Sequence, residues 1–477
     1  MRNLSPDSYF SVIAWLLPLG MLFLGVEHCV AQEQTGLPDV VAEAMKQINE
    51  KRVRTTISFL ASDELGGRDT PSQGLNIASA YVASRFRGAG LEPLGSDDFF
   101  QRTEVATSQL PATGTVLVEG EPLEVLGVLG AGGEDVDWTG KVTPINDQTP
   151  RNQQFDAAVS LVAPSFDKQR ASRSFQFQLM RLQQNGAKAI LIQVEPDHPL
   201  IAQATQSLRP RLVRVRGSLN LPVLLVEPND FEGETKIQMA KQKFGKSEVK
   251  NVIGILKGSD PELSKEAIVI TAHLDHIGQF SGVGDTINNG ADDDATGVTA
   301  VLALADAYTQ LPTAPKRSVI FMTFWGEEKG LLGSKYYADN PEWPLTKTVA
   351  NINLEMLGRP EPGASGKAWM TGWDQSDLGS LMADGAKDAG VLVFEHPKFS
   401  AMLYNASDNA SFVRKGVIGH SFSAGSLHDD YHQPSDEWEK LQLDHMTKVI
   451  QGLFAGSLPI ANGEVTPKAA TKSRRQR

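Results

Sequence analysis

Five short segments rich in histidine and carboxylates place the strongest constraint on this chain. Each lies at the end of an apolar strand pattern or at the start of a helix pattern, within a stretch where strands and helices alternate. The segments are residues 272–276 (AHLDH), 290–294 (GADDD), 326–328 (GEE), 353–355 (NLE) and 431–436 (YHQPSD). Alternating strands and helices predict an α/β domain with a mainly parallel sheet. Because ligand sites form at the carboxyl ends of parallel strands, we expect the five segments to meet at one edge.

The chemistry of these side chains predicts a metal centre. Imidazole and carboxylate ligands without thiolates suit zinc, manganese or cobalt. Clustered carboxylates would repel one another without a cation, and only Lys329 and Arg359 stand close by in sequence. The set has enough donors for two ions that share one carboxylate, and such ions lie on the order of 3.5–4 Å apart.

Position along the chain also predicts individual roles. His273 and Asp275 point to the same side of a strand, so Asp275 is expected to hold the far ring nitrogen of His273. The adjacent residues Glu327 and Glu328 cannot both face one metal equally. One is expected to bind it, and the other to act as the general base with a raised pKa.

With these segments in this order, the chain resembles the di-zinc exopeptidases of peptidase family twenty-eight (clan MH). The resemblance implies a mixed sheet with a parallel centre, flanked by helices, and two zinc ions (Zn2+) per chain. It implies that Asp293 bridges the ions, His273 and Glu355 bind one, Glu328 and His432 bind the other, Glu327 is the general base, and Asp275 supports His273. Glu355 stands where most members have Asp, and Asn409 stands where most have His.

The pattern divides the chain into five parts. Residues 1–31 are predicted to be a signal peptide, 37–101 the first part of the catalytic domain, 102–231 a β-rich insert, 245–461 the main catalytic domain, and 462–477 a disordered basic tail. The insert resembles a protease-associated domain. Residues 102–231 contain short β-type runs and one amphipathic helix, which favours a separate module.

The amino terminus predicts export. Arg2 precedes an apolar run over residues 11–26, and Cys29-Val30-Ala31 favours cleavage after Ala31. An uncleaved anchor and a lipoprotein are the alternatives. The predicted location is secreted or periplasmic, and no later run reaches the roughly twenty apolar residues of a membrane span. The formal net charge of -12 argues against nucleic acid as a partner.

The predicted function is hydrolysis of peptides with a free terminus through a hydroxide that bridges two zinc ions, with an aminopeptidase favoured. The alternatives are a carboxypeptidase or dipeptidase, a glutaminyl-cyclase-like transferase, and a non-catalytic receptor-like binding protein. The remaining histidines of this region divide into two groups. His396, His420 and His445 are interpreted as structural, whereas His276 and His428 adjoin motifs and could line the pocket.

Overall fold

The structure is a computed structural model that describes residues 37–164, 169–206, 208–213, 219–279 and 284–471. The predicted signal peptide, residues 1–31, lies outside the described residues, as do residues 472–477 of the predicted tail. Within the described part of the chain, no helix combines the length and the apolar character needed to cross a membrane.

The strands, numbered in chain order, fall into three runs. The first comprises β1 (Glu92–Pro93) and β2 (Phe100–Gln109). The second comprises β3 (Thr115–Val118), β4 (Glu121–Leu123), β5 (Val125–Gly130), β6 (Val136–Gly140), β7 (Thr143–Pro144), β8 (Val159–Val162), β9 (Ile190–Gln193), β10 (Arg211–Leu212), β11 (Val223–Val226) and β12 (Thr235–Met239). The third comprises β13 (Lys243–Leu256), β14 (Ala267–His273), β15 (Gly278–Gln279), β16 (Ile287–Asn288), β17 (Ser318–Phe324), β18 (Thr348–Leu354), β19 (Lys367–Met370), β20 (Leu392–Phe394) and β21 (Gly419–Ser423).

The helices are numbered in the same way. They are α1 (Asp39–Met45), α2 (Glu50–Leu60), α3 (Gln73–Ala89), α4 (Gln169–Gln184), α5 (Pro199–Gln206), α6 (Thr296–Thr309), α7 (Leu332–Asp339), α8 (Leu378–Ala386), α9 (Phe399–Met402), α10 (Asn409–Val413) and α11 (Leu443–Ala461). Local signals set their ends. The Ser72 side chain accepts the Leu75 N–H at the start of α3, and Gly90 ends that helix with a φ of 88°.

A ten-stranded mixed sheet forms the centre of the molecule, in the order β10-β2-β13-β17-β14-β18-β21-β19-β20, with β1 beside β13. Its middle is parallel: β14 pairs in parallel with β17 and β18, and β18 with β21. Every residue of β14 and β17 is buried, as expected for strands covered on both faces. The predicted fold class, a parallel-centred mixed sheet flanked by helices, is confirmed.

The insert has different boundaries from the predicted 102–231. Strand β2 pairs with β13 along its whole length, from Phe100 opposite Val252 to Gln109 opposite Lys243, so residues 102–109 belong to the central sheet. Strand β12 pairs with β3 and β6 and belongs to the insert. The insert therefore covers residues 110–242. The sequence pattern did not separate these strands because alternation shows a strand but not its partner.

Apart from β10, which pairs with β2 at the edge of the central sheet, the strands of the insert form two small sheets, β5-β11-β9-β8-β7 and β4-β3-β12-β6. Two groups of buried apolar side chains, which include Ile190 and Ile192 in one and Leu191 and Ile237 in the other, form its cores. It is therefore a β-rich unit with its own interior, and its likeness to a protease-associated domain stays a prediction.

Residues 462–471 lie against the catalytic domain, in contrast to the predicted disordered tail. The Arg317 guanidinium donates to the Val465 carbonyl at 3.1 Å and to the Thr466 hydroxyl at 2.8 Å. The Lys468 N–H donates to Asp377 Oδ1 at 2.6 Å. The basic composition suggested a solvated tail, but backbone hydrogen bonds to a buried arginine do not show in composition.

Candidate metal centre

The predicted site segments meet at one edge of the central sheet. His273 is the last residue of β14, and Glu355 follows β18, a parallel neighbour of β14. Glu327 and Glu328 come shortly after β17, which pairs with the other side of β14. Asp293 lies in the irregular turn that leads into α6. Because the parallel strands end at the same edge, these side chains come within reach of one another.

Asp293 lies between two groups of ligand atoms. Its Oδ1 atom is 3.1 Å from His273 Nε2, and its Oδ2 atom is 3.1 Å from His432 Nε2. The residue is only 4% exposed. Its two oxygens thus face different histidines, which is the arrangement required of a carboxylate that bridges two cations.

One further carboxylate completes each group. Glu355 Oε2 lies 3.6 Å from His273 Nε2, and Glu328 Oε1 lies 3.2 Å from His432 Nε2. The structure therefore brings all five predicted ligands together, in two groups that share Asp293.

The contacts of these atoms fit a cation better than a set of hydrogen bonds. Glu328 Oε1 and His432 Nε2 are buried, yet neither has a hydrogen-bond partner among the described residues. Buried polar atoms normally find such partners. On the other side, His273 Nε2 and Asp293 Oδ1 are within hydrogen-bond geometry at 3.1 Å. The unpaired atoms on the His432 side converge as ligands around one ion would, and imidazole with carboxylate is a donor set that suits zinc.

Asp294 also lies close to His273 and Glu355, but its carboxylate oxygens accept hydrogen bonds from the backbone. They accept the backbone N–H groups of His273 at 3.3 Å, Gly297 at 3.0 Å and Met356 at 3.3 Å. Asp294 therefore ties the start of α6 to the ends of β14 and β18. The oxygens of Asp293 face side chains rather than the backbone, so Asp293 is the better candidate for the predicted bridging position.

The support of His273 differs from the prediction. Its Nδ1 atom lies 2.9 Å from the backbone carbonyl of Asp275, and 3.9 Å from the Asp275 carboxylate. A ring N–H donated to that carbonyl leaves Nε2 free to bind a metal. The predicted contact with the Asp275 carboxylate is therefore wrong, because the chain turns after β14 and presents the carbonyl instead. The carboxylate accepts the backbone N–H of Glu327 at 3.0 Å.

Glu327 has the electrostatic environment of a group that holds a proton. Burial raises its pKa well above the usual value, and the neighbouring carboxylates Asp408, Glu355 and Glu328 raise it further, while His273 opposes them. A base for work near neutral pH needs such a raised pKa. The structure places Glu327 in the cavity beside His273 and Asp293, as expected for the predicted general base.

Arg68 is a buried cation that sequence spacing did not reveal. It is 1% exposed, and its guanidinium donates to the carbonyls of Leu274 at 2.8 Å, Asn289 at 2.7 Å and Gly290 at 3.0 Å. Burial lowers its pKa to about 10, and the surrounding carboxylates oppose that shift. Arg68 therefore holds the two loops that carry the site. The two cations named from sequence bind elsewhere, Lys329 to Asp69 and Arg359 to Asp430.

Glu355 is held by a buried polar network. Its Oε1 atom accepts the Asn353 side-chain amide at 3.0 Å and the Ser407 hydroxyl. Asn353 also donates to Ser421 at 3.0 Å, and Ser421 donates to Asn409 Oδ1 at 3.0 Å. Glu355 and Asn409, the two residues that differ from the usual family pattern, thus belong to one hydrogen-bond network. It fixes one oxygen of Glu355 and leaves the other toward His273.

Most histidines interpreted as structural have partners away from the site. His420 contacts the Thr371 carbonyl and the Ser376 hydroxyl, each at 2.7 Å. His445 Nδ1 accepts the Gly366 N–H at 2.8 Å. His396 Nδ1 accepts the backbone N–H groups of Lys398 at 3.1 Å and Phe399 at 3.0 Å.

The two histidines left open lie closer to the site. His428 Nε2 lies 3.1 Å from Asp292, and His276 Nδ1 lies 2.8 Å from Glu328. His276 is not among the five predicted ligands, although its position in the segment 272–276 indicates that it lies near the site.

A cavity of about 110 Å³ opens onto one side of the centre. His273, Asp293, Glu327 and Glu355 line its polar side. The large apolar side chains of its lining are Met356, Trp369, Phe399, Leu403 and Leu427, and four serines, Thr371, Ala406 and Tyr431 complete it. The arrangement places a hydrophobic surface directly beside the carboxylates.

Solved structures of similar fold cover most of the chain. An aminopeptidase from Aneurinibacillus sp. strain AM-1 is 19% identical, with a TM-score of 0.51 over 91% of this chain and 97% of that one. BSAP, a zinc aminopeptidase from Bacillus subtilis, is 18% identical, with a TM-score of 0.55 over 90% and 97%. At these identities the likeness shows the fold.

Comparison of sequences finds a relative that matches only part of the chain. Aminopeptidase YwaD of Bacillus subtilis is 25% identical over 305 residues, which are 60% of this chain and 60% of that protein. The chain therefore spans less than two thirds of this relative.

The fold and the site together define an α/β domain with histidines and carboxylates that could hold a metal at one edge of its sheet. Residues 251–455 match the model of peptidase family M28, and they contain every predicted site residue. This domain of the chain belongs to that family. The resemblance seen in the sequence is thereby confirmed.

Proposed function

We propose that this protein is an exported aminopeptidase that uses two zinc ions. The observation that carries the proposal is the position of Asp293, whose two oxygens lie 3.1 Å from two different histidines beside the cavity that contains Glu327. Family membership supports hydrolysis of peptide bonds, and two of the similar structures are described as aminopeptidases.

The protein's own groups supply the proton transfers. Bound zinc would act as a Lewis acid on the scissile carbonyl and would lower the pKa of a bound water. Glu327 takes a proton from the attacking water on its carboxylate and gives it to the amine nitrogen as the C–N bond breaks. The raised pKa makes the Glu327 carboxylate a stronger base than an exposed glutamate, which favours its uptake of the proton.

The charge of the cavity favours an amino terminus over a carboxyl terminus. Glu327, Glu355 and Asp293 line it, and the described lining residues include no lysine or arginine. A free ammonium group would be attracted by these carboxylates, whereas a free carboxylate would need a cation to bind. The apolar wall formed with Trp369, Phe399 and Leu403 suits a hydrophobic first side chain.

The test compares amino-acid nitroanilides that carry a free amine with the same compounds after acetylation. We expect hydrolysis of the free form only, with about two zinc ions per chain by elemental analysis. Glu327→Gln should lower kcat by about 100-fold or more and retain the zinc. Glu395→Gln, at an exposed acid, is the matched control.

Hydrolysis of the acetylated compounds at equal rate would overturn the assignment to aminopeptidases. Full activity in Glu327→Gln would remove the general base from the proposal. Amino-terminal sequencing of protein recovered from outside the expressing cell should begin at Gln32, and a chain that begins at residue 1 would contradict cleavage after Ala31.

A further inference from the structure

His276 lies inside the metal centre. It is 0% exposed, and it sits on the loop that leaves β14, three residues after His273. Its backbone N–H donates to the Arg68 carbonyl at 3.3 Å. The buried arginine therefore holds this part of the loop against the site.

The ring faces the group formed by Asp293, Glu328 and His432. Its Nδ1 atom is 2.8 Å from Glu328 Oε1 and 3.9 Å from Asp293 Oδ2. The ring stands edge-on to that of His432, with the centroids 5.5 Å apart and the planes at 71°. One ligand atom from each of the four residues lies within 4.8 Å of the others.

Hydrogen bonds do not account for this position. Both ring nitrogens of His276 are buried, and neither has a hydrogen-bond partner among the described residues. Glu328 Oε1 lies close to His276 Nδ1 but does not form a hydrogen bond with it. His432 Nε2 is likewise close to Glu328 Oε1 without a hydrogen bond. A purely structural histidine would leave two buried nitrogens unsatisfied, which is unfavourable. A shared cation explains the convergence of all three atoms.

We propose that His276 Nδ1 is a fourth protein ligand of the ion held by Asp293, Glu328 and His432. This inference rests on the proposed metal centre and adds a ligand to it. The two ions would then differ, because His273 and Glu355 with the shared Asp293 provide only three donors. Zinc with four protein ligands is closed, whereas zinc with three keeps an open position.

The cavity supports this difference between the two sides. His273, Asp293 and Glu355 line it, whereas His276, Glu328 and His432 are not among its described lining residues. The three-donor side therefore faces this cavity, whereas His276, Glu328 and His432 lie outside its lining, with the His432 side chain 33% exposed. We infer that the four-donor ion is the one retained when metal becomes scarce.

Zinc titration with a competing chelator tests the proposal directly. The wild-type protein should retain one ion at chelator concentrations that remove the other. His276→Ala should weaken the retained ion by more than the roughly 10–100-fold that loss of an outer partner costs. Added imidazole should restore part of the affinity, since it can enter the space that the side chain leaves. His445→Ala, at a buried histidine on α11, should bind zinc like the wild type.

A second measurement avoids the variant altogether. X-ray absorption of the wild-type protein with one equivalent of zinc should show two imidazoles around the ion. One imidazole, or unchanged zinc affinity in His276→Ala, would overturn the role of His276 while the aminopeptidase stays in place. If the wild-type protein binds no zinc, both proposals fail.

Discussion

Asp275 accepts the backbone N–H of Glu327 at 3.0 Å through Oδ1, so the loop after β14 fixes the position of the proposed base, which follows β17. The same residue receives the His273 ring on its carbonyl oxygen at 2.9 Å. Asp275 thus orients the proposed ligand His273 through its backbone and the proposed proton acceptor Glu327 through its side chain.

Removal of this carboxylate should therefore slow catalysis without loss of metal. We expect Asp275→Ala to lower kcat by about 10–100-fold, the usual effect of removing such a partner. Asp275→Asn should lose less, because its amide oxygen can still accept the Glu327 N–H. Steady-state kinetics with zinc analysis checks this, and zinc loss in Asp275→Asn would instead show that the carboxylate supports His273.

The network around Glu355 predicts that its length matters. Glu355→Asp is one methylene shorter and cannot reach both Ser407 and the ion beside His273. We expect it to weaken zinc on that side by at least about 10-fold, with a smaller effect for Ser407→Ala. Chelator competition measures both affinities. Equal or tighter zinc binding in Glu355→Asp would show that the backbone adapts to the shorter side chain.

The metal-free protein should lose stability as pH rises from about 6.5 to 9. Contacts with Asp293 and Glu328 raise the pKa of His432 to about 9 although burial opposes them, and the pKa of His273 is also raised. Burial raises the pKa of Glu327 and Asp294 well above their usual values. The folded protein then binds more protons than the unfolded chain, so each rise in pH favours unfolding.

Thermal melting of the chelated protein at pH 6.5, 8 and 9 tests this expectation, with the midpoint falling by several degrees. Zinc replaces the protons on the ligands, so the loaded protein should show a weaker dependence. A midpoint that rises with pH in the chelated protein would contradict the raised pKa of His432.

The cavity wall predicts which side chains the enzyme prefers. Leu403→Ala enlarges the apolar side, so kcat/KM should shift from leucine toward phenylalanine substrates by about 10-fold, as expected for a few buried methylenes. Leu392→Ala, at an exposed leucine in β20, should leave the ratio unchanged. The ratio of the two nitroanilide rates is the measurement, and an equal ratio in Leu403→Ala would place the substrate side chain elsewhere.

The sequence predicted the parallel centre of the sheet and the five candidate ligand residues whose side chains lie close together there. Strands such as β17 are buried on both faces and appear as continuous apolar runs, and the polar segments mark where each strand ends. The outer strands were harder to predict. Residues 243–246 of β13 are all exposed, so this half of the strand has no buried apolar pattern that would indicate its pairing with β2.

Contacts between distant segments were also hidden from the sequence. Arg68 reaches the carbonyls of Asn289 and Gly290 across more than two hundred residues, and no local spacing encodes that contact. The Asp275 side chain was assigned to His273 from strand alternation, which fails once the chain leaves the strand after His273. His276 was left open because one motif cannot show how its loop turns back.

The pairing of Gln109 with Lys243 has a consequence for how this architecture could arise. The chain departs from the central sheet and returns to it at adjacent points of one antiparallel ladder, so residues 110–242 amount to an enlarged hairpin connection. A tight turn of a few amino acids would close the same gap. The whole unit could therefore be gained or lost without displacing the predicted metal ligands, all of which lie at or after residue 273.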